Sequence, residues 1–157
     1  MEKSPENLHV ILFQPEIPNN TGNIGRVCVA TGCHLHLIGP LGFDISEKSV
    51  RRAGLDYWQY LTVHTYEDYS AFLAADTGIQ RIHYLSTKAK QVYTEALLQK
   101  GDGVMFGPET RGLPQEILEA NAAQCYLLPM IGPTRSLNLA NTVAVVAYEG
   151  LRQKGES

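Results

Sequence analysis

The segment FGPETRGLP, residues 106–114, indicates the fold class, because it is predicted to join the end of an apolar strand to the start of a helix. Residues 103–106 (GVMF) are short and apolar, which predicts a buried strand. Pro114 suits the first position of a helix, here predicted over residues 114–120. The loop between them begins with Gly107 and is rich in glycine, proline and small polar residues. The segment therefore predicts a strand, a loop able to approach a ligand, and a helix in succession.

The same alternation runs along the rest of the chain. Apolar runs bounded by turn residues predict strands at 8–13, 34–38, 61–64, 81–86 and 126–128, with a less regular element near 93–99. Helices are predicted at 24–31, 46–53, 67–75 and 138–154. Gly32 is expected to end the first of these in the left-handed conformation. The pattern predicts an α/β domain with a mostly parallel sheet flanked by helices, and 157 residues fit a single domain over residues 1–157.

Composition limits the classes of function. Apolar residues make up 44% of the chain, enough for a packed interior, but no run approaches the roughly 20 residues of a membrane span. Residues 1–7 are polar and lack the apolar stretch of a signal peptide, so a cytoplasmic protein without a membrane partner is expected. Three cysteines without a CxxC pair predict buried thiols. The net charge of −3 argues against RNA as a partner, although Arg51, Arg52, Lys88 and Lys90 form local basic clusters.

The loops that follow the predicted strands should form any ligand site, because ligands of parallel α/β sheets bind beyond the carboxyl ends of the strands. PEIPNNTGN, residues 15–23, follows the first strand, and PMIGPTRSLNLANT, residues 129–142, follows the last. Gly107 would let an aromatic ring lie against the backbone, although a tight turn explains a glycine there equally well. These loops are therefore the candidate site.

The polar residues of these loops have structural as well as functional interpretations. Arg26 is predicted in the first turn of a helix, where its charge opposes the helix dipole unless an anion such as phosphate binds there. Glu109 and Arg111 would pair with each other at the surface. Ser136 or Asn138 would cap the long helix that follows.

Motifs for other chemistries are absent from the sequence. His34 and His36 alternate on one predicted strand, but without cysteine or carboxylate neighbours they do not predict a metal site. The chain has no Walker loop, no GxGxxG after a strand and no GxSxG. The common nucleotide-binding, dehydrogenase and hydrolase signatures are thus not found.

Three segments in order resemble the SPOUT methyltransferases: NNTGNIGR at 19–26, FGPETRGLP at 106–114 and PTRSLNLANTVAVVAYE at 133–149. RRAGLDYW, residues 51–58, is similar to the minimal members that methylate the wobble ribose of tRNA. The resemblance covers almost the whole chain. It implies a C-terminal trefoil knot that forms a pocket for S-adenosylmethionine, a homodimer, and methyl transfer to the 2′-hydroxyl of the wobble cytidine or uridine in the tRNA anticodon loop.

Carried over by position, the resemblance implies two sets of site residues. The cofactor pocket would be formed by Leu85, Gly107, Leu128, Met130, Ser136 and Leu137. The catalytic residues would be Arg26, Asn20, Glu109, Ser136 and Asn138. Ala140 departs from the family pattern, which often has serine at that position.

The family's proposed general base corresponds to Arg26. A guanidinium group has a pKa above about 12 and no free acceptor, so it is poorly suited to take a proton. Our hypothesis is that Arg26 holds a phosphate and stabilises the developing oxyanion, while phosphate or water accepts the proton.

Other interpretations stay open at this point. The chain could methylate a ribose of rRNA or another tRNA position, or bind RNA without catalysis through a SPOUT-like fold. A flavodoxin-type small-molecule module would also fit a short acidic α/β chain. The apolar stripe of the last helix, at Leu139, Val143, Val146 and Gly150, would either pack on the sheet or contribute to a dimer.

Overall fold

The computed structural model describes residues 3–46, 48, 50, 52 and 57–155. Within them the strands are β1 His9–Phe13, β2 His34–Ile38, β3 Val63–Tyr66, β4 Ile82–Leu85, β5 Gln91–Val92, β6 Gly103–Phe106 and β7 Cys125–Leu127. The α-helices are α1 Pro18–Thr31, α2 Tyr69–Ala74, α3 Gln115–Ala120 and α4 Leu139–Gln153. Short 3-10 turns occur at Trp58–Tyr60, Tyr93–Glu95 and Ala122–Gln124.

The described strands form one sheet in the order β3-β2-β1-β6-β4-β7-β5, and every neighbouring pair is parallel. This confirms the predicted α/β class with a parallel sheet. Because all strands run in the same direction, their carboxyl ends share one edge of the sheet. The loops after β1, β4, β6 and β7 consequently meet there.

Helices cover both faces of the sheet. On one face, Val10 and Leu35 pack with Ile24 of α1 and Val143 of α4 in a buried cluster. On the other, a second cluster joins β1 and β6 to α2 and α3 through Phe72 and Ile117.

Helix α4 is fixed to the start of β1. Val143, Val146 and Gly150 are buried, which supports the packing interpretation of the apolar stripe over the dimer interpretation. A Cβ at Gly150 would lie 2.6 Å from Asn7 Oδ1, so α4 approaches the side chain of Asn7 closely at this position. Asn7 Nδ2 donates to Ala147 O at 3.0 Å, and Asn7 Oδ1 accepts from Lys154 Nζ at 2.6 Å. Residues 140 or more positions apart are thus joined by one buried side chain.

Helix α1 begins at Pro18 rather than at the predicted residue 24. Proline suits the first helical position, because it has no N–H group that needs a partner and its φ already fits the helix. The prediction of a loop over residues 15–23 missed this start signal. The helix ends as predicted, at Gly32 with φ 74°. Arg26 therefore lies in the middle of a 14-residue helix, and the dipole argument that placed it in the first turn is wrong.

Smaller differences concern the boundaries of other elements. Strand β3 runs two residues later than predicted, and the element near 93–99 begins with a 3-10 turn at Tyr93–Glu95. Of the helix predicted at 46–53, residues 48, 50 and 52 are described and are helical, and the other residues after Ser46 lie outside the described residues, as does most of the segment 51–58. The three cysteines are free and buried, as predicted. Among the described residues no helix is long and apolar enough to cross a membrane.

Four histidines on adjacent strands form what we term the imidazole cluster: His9, His34, His36 and His64. His36 is 2% exposed, with Nε2 2.8 Å from His9 Nδ1 and Nδ1 2.7 Å from Tyr66 Oη. Burial, and then the nearby imidazoles, lower the pKa of His36 from 6.5 to about 3. No group of three or more His, Cys, Asp or Glu in the described part of the chain is arranged to hold a metal ion.

Candidate active site

A pocket of about 270 Å³ lies at the carboxyl edge of the sheet. Its walls come from the loops after β4, β6 and β7 and from the start of α4. We term it the carboxyl-edge pocket. All six residues predicted to bind the cofactor line it: Leu85, Gly107, Leu128, Met130, Ser136 and Leu137.

Gly107 is the point where the pocket wall is tightest. A Cβ at this position would lie 2.3 Å from both Gly112 C and Leu113 N, closer than any real Cβ contact. The loop 107–113 therefore folds back on itself so tightly that residue 107 must be glycine. The tight-turn interpretation of Gly107 is confirmed, and Gly107 also lines the carboxyl-edge pocket.

Glu109 connects the loop after β6 to the start of α1. Its Oε1 accepts from Glu16 N at 2.8 Å, and its Oε2 accepts from Ile17 N at 2.9 Å. These N–H groups lie at the N-terminus of α1, whose cap residue Ile17 offers no side-chain acceptor of its own. A carboxylate there also interacts favourably with the helix dipole. Glu109 thus fixes, from a distant loop, the two residues that lead into α1.

Asn20 and Asn138 extend this connection to α4. Asn20 Nδ2 donates to Glu109 Oε2 at 3.3 Å, and Asn20 Oδ1 accepts from Asn138 Nδ2 at 3.1 Å. Asn138 Oδ1 in turn accepts from Ala140 N at 2.8 Å, so Asn138 is the cap of α4. The capping interpretation of Asn138 is confirmed, and the same side chain also holds Asn20. We term Glu109, Asn20 and Asn138 the amide–carboxylate network.

A second contact joins the same two loops. Glu16 Oε1 accepts from Thr110 N at 2.9 Å and from Thr110 Oγ1 at 2.8 Å. These bonds lower the pKa of Glu16, so the contact weakens as pH falls through the range in which the carboxylate protonates. Arg111 pairs with Glu16 at 3.7 Å, and Glu109 is engaged with α1, so the predicted Glu109–Arg111 pair is wrong. Neither Glu16 nor Thr110 was predicted as a site residue, because their contact spans 94 positions.

Arg26 is separate from the other predicted catalytic residues. It is exposed on α1, does not line the carboxyl-edge pocket, and its Cζ lies 4.5 Å from the centre of the Tyr57 ring. Ser136 lines the pocket beside Leu137, and Glu109 does so as well. Within one chain the structure therefore brings together Glu109, Asn20, Asn138 and Ser136 near one pocket and leaves Arg26 outside it.

We expect Glu109→Ala to lower the free energy of unfolding by about 2 kcal/mol, because two backbone N–H groups and the Asn20 amide lose a charged acceptor. Thermal melts followed by circular dichroism measure this change. Glu67→Ala, which removes an exposed carboxylate outside the network, is the matched control. Equal melting temperatures for the two variants would contradict the structural role of Glu109.

The parallel sheet, the pocket at its carboxyl edge and the network beside it agree with the class of protein that the sequence resembles, a SPOUT methyltransferase. The chain belongs to the SpoU rRNA methylase family, whose model matches residues 7–148. It is 50% identical over 149 residues to the tRNA (cytidine(34)-2′-O)-methyltransferase of Escherichia coli (strain K12), covering 94% of each chain.

Two solved structures show the same fold. One, which concerns 2-OH methylation of C/U34 on tRNA, superposes with a TM-score of 0.87 at 46% identity over 94% of this chain and 96% of that chain. Another, an AdoMet-bound rRNA methyltransferase from Sinorhizobium meliloti, has a TM-score of 0.81 at 23% identity over 97% of this chain and 58% of that one. The second supports the fold alone.

Proposed function

We propose that this protein transfers a methyl group from S-adenosylmethionine to the ribose 2′-hydroxyl of the wobble cytidine or uridine in the tRNA anticodon loop. The observation that carries the proposal is the amide–carboxylate network held against the carboxyl-edge pocket. The similarity over nearly full length to a tRNA (cytidine(34)-2′-O)-methyltransferase supports the choice of substrate. We propose that residues 1–157 form one catalytic domain and that the protein acts in the cytoplasm.

The pocket lining suits S-adenosylmethionine. Leu85, Leu128 and Leu137 offer apolar walls for an adenine ring, and Gly107 lines the pocket where its loop folds back against the backbone of residues 112 and 113. We propose that this pocket is enclosed by the trefoil knot of SPOUT proteins. The bound sulfonium supplies an electrophilic methyl group, so the protein must mainly align the ribose oxygen with it.

The chain's own residues then have positioning and electrostatic roles. Glu109 fixes the start of α1, and Asn20 is held from both sides, so the geometry of this edge is set before substrate arrives. Ser136 contributes a hydroxyl at the pocket wall. Arg26 holds a phosphate and stabilises the developing oxyanion, and phosphate or water accepts the proton.

A homodimer would explain the position of Arg26. The outer surface of the α1 and α4 layer exposes Val145 (38%) and Tyr148 (56%), one helical turn apart, and Leu137 (45%) lies just before α4. Apolar side chains exposed beside a pocket favour a protein interface. In such a dimer, Arg26 of one protomer would serve the carboxyl-edge pocket of its partner.

We expect Arg26→Ala to reduce turnover roughly a hundredfold, the usual cost of losing one oxyanion-stabilising donor. Single-turnover methylation measures this effect, and Lys100→Ala removes an exposed cation elsewhere as the control. Full turnover with unchanged tRNA affinity would rule out both the base and the electrostatic role of Arg26.

Mixing Arg26→Ala with Glu109→Ala tests the dimer, because each variant removes a different predicted catalytic residue. If Arg26 acts across the interface, Arg26→Ala combined with Glu109→Ala should recover about a quarter of wild-type activity, since half of the dimers are mixed and each has one intact site. A mixture as inactive as its components would place Arg26 and Glu109 in the same subunit's site.

The primary test is mass-spectrometric analysis of nucleosides from bulk tRNA incubated with the protein and S-adenosylmethionine. We expect 2′-O-methylcytidine or 2′-O-methyluridine at the wobble nucleotide. Methylation at another tRNA position or in rRNA would replace the proposed substrate. RNA binding without any methyl transfer would favour the non-catalytic alternative.

A further inference from the structure

A second pocket shares a wall with the carboxyl-edge pocket. Its volume is about 480 Å³, and it lies between residues 86–91 and the region of α3. Ser86 and Lys88 line both pockets. The two pockets are therefore neighbours along the same short segment of chain, residues 86–88.

The floor of this second pocket is apolar. Ala89, Leu118 and Ala122 line it together with the buried Cys125. Burial raises the pKa of the Cys125 thiol, and its Sγ donates to Asn121 O at 3.3 Å, so the cysteine is part of the floor and not a nucleophile. The surface suits a flat apolar ring.

The rim is cationic. The side chains of Lys88 and Lys90 are exposed at the rim, and among the lining residues Glu119 is the one carboxylate. This local charge is opposite in sign to the net charge of the chain, −3. A site with an apolar floor and a rim of ammonium groups matches a base with its adjoining phosphates.

We propose that this lysine-rimmed pocket (Ser86, Lys88, Lys90, Leu118, Ala122, Cys125) binds a nucleotide of the RNA substrate that flanks the methylated one. The base lies on Leu118 and Ala122, and Lys88 and Lys90 contact the phosphates on either side. Single-stranded loops offer such splayed bases, whereas paired RNA does not. The inference rests on the proposed function, because it assigns the second pocket to the same RNA chain.

Charge reversal at the rim is the first test. We expect Lys90→Glu to weaken binding of a fluorescently labelled anticodon stem-loop about tenfold, and to make the plot of log Kd against log salt concentration shallower by about 0.7. Lys100→Glu changes the net charge equally but lies away from the pocket, beside Glu6. It should change the affinity less than about twofold.

Filling the pocket without changing charge is the second test. Ala122→Trp would occupy the floor, and we expect it to weaken stem-loop binding about tenfold by displacing the base. Ala120→Trp, an exposed alanine nearby that does not line the pocket, is the matched control. Affinity for S-adenosylmethionine, measured by calorimetry, should stay at the wild-type value in all four variants and reports that they are folded.

The results separate the two proposals. If wild-type protein methylates tRNA but each pocket variant binds the stem-loop as its control does, the lysine-rimmed pocket is not an RNA site and the proposed function stands. If wild-type protein binds S-adenosylmethionine but no RNA, both proposals fail. Selective loss of RNA affinity in Lys90→Glu and Ala122→Trp supports the inference.

Discussion

Gly107→Ala should reduce affinity for S-adenosylmethionine roughly tenfold to a hundredfold, because the added methyl group displaces a pocket wall and overpacking of about 1 to 3 kcal/mol opposes the binding conformation. The new Cβ would lie 2.3 Å from Gly112 C and Leu113 N, which are both backbone atoms without the freedom of a side chain. The loop must therefore open. We also expect the free energy of unfolding to fall by about 1 to 3 kcal/mol, as in other overpacked sites.

Isothermal titration calorimetry with S-adenosylmethionine measures the loss, and thermal melts measure the stability. Gly132→Ala is the matched control, because a Cβ at Gly132 would meet nothing within 4 Å. Wild-type affinity in Gly107→Ala would show that the loop can open at no cost to the pocket, and it would remove the argument that residue 107 must be glycine.

The stability of the protein should decrease steeply on acidification because of His36. In the folded state the pKa of His36 is about 3, whereas in the unfolded chain it is 6.5. Below pH 6.5 the unfolded state therefore binds more protons at this residue than the folded state does. The contribution of neutral His36 to the free energy of unfolding is complete above pH 6.5, and it is lost as pH falls towards 3. A shift of this size corresponds to about 5 kcal/mol in total.

Urea unfolding at pH 7, 5.5 and 4 checks this expectation. His36→Leu should remove most of the loss between pH 7 and pH 4, at the cost of the contacts with His9 and Tyr66 at neutral pH. His64→Leu removes one of the nearby imidazoles that help to lower the pKa of His36, so it should reduce the acid sensitivity less than His36→Leu does. If His36→Leu is as acid-sensitive as wild type, the acid response arises from other groups.

The positions of the strands were predictable because the signal is local. Residues 34–38 and 103–106 are apolar runs bounded by turn residues, and both strands form at those boundaries. The start of α1 is also encoded locally, by Pro18, but the prolines of PEIP are typical of loops as well. A loop over residues 15–23 would place Arg26 in a first turn that it does not occupy.

The partners of the site residues were not predictable from local pattern. Glu109 lies 92 positions from Ile17, and Asn138 lies 118 positions from Asn20, so no periodicity relates them. The resemblance to SPOUT proteins named these residues without saying what they contact. The imidazole cluster shows the same limit, since the alternation of His34 and His36 was visible but their neighbours depend on strand register.

The bonds of Asn7 have a kinetic consequence. Because this buried amide must find Ala147 and Lys154, the start of β1 and the helix that covers it meet late in folding, after a loop of nearly the whole chain has closed. Until then α1, but not α4, covers this apolar face of β1. We therefore expect slow refolding with a strong tendency to aggregate at high protein concentration, and a chain cut before α4 should not retain a soluble native state.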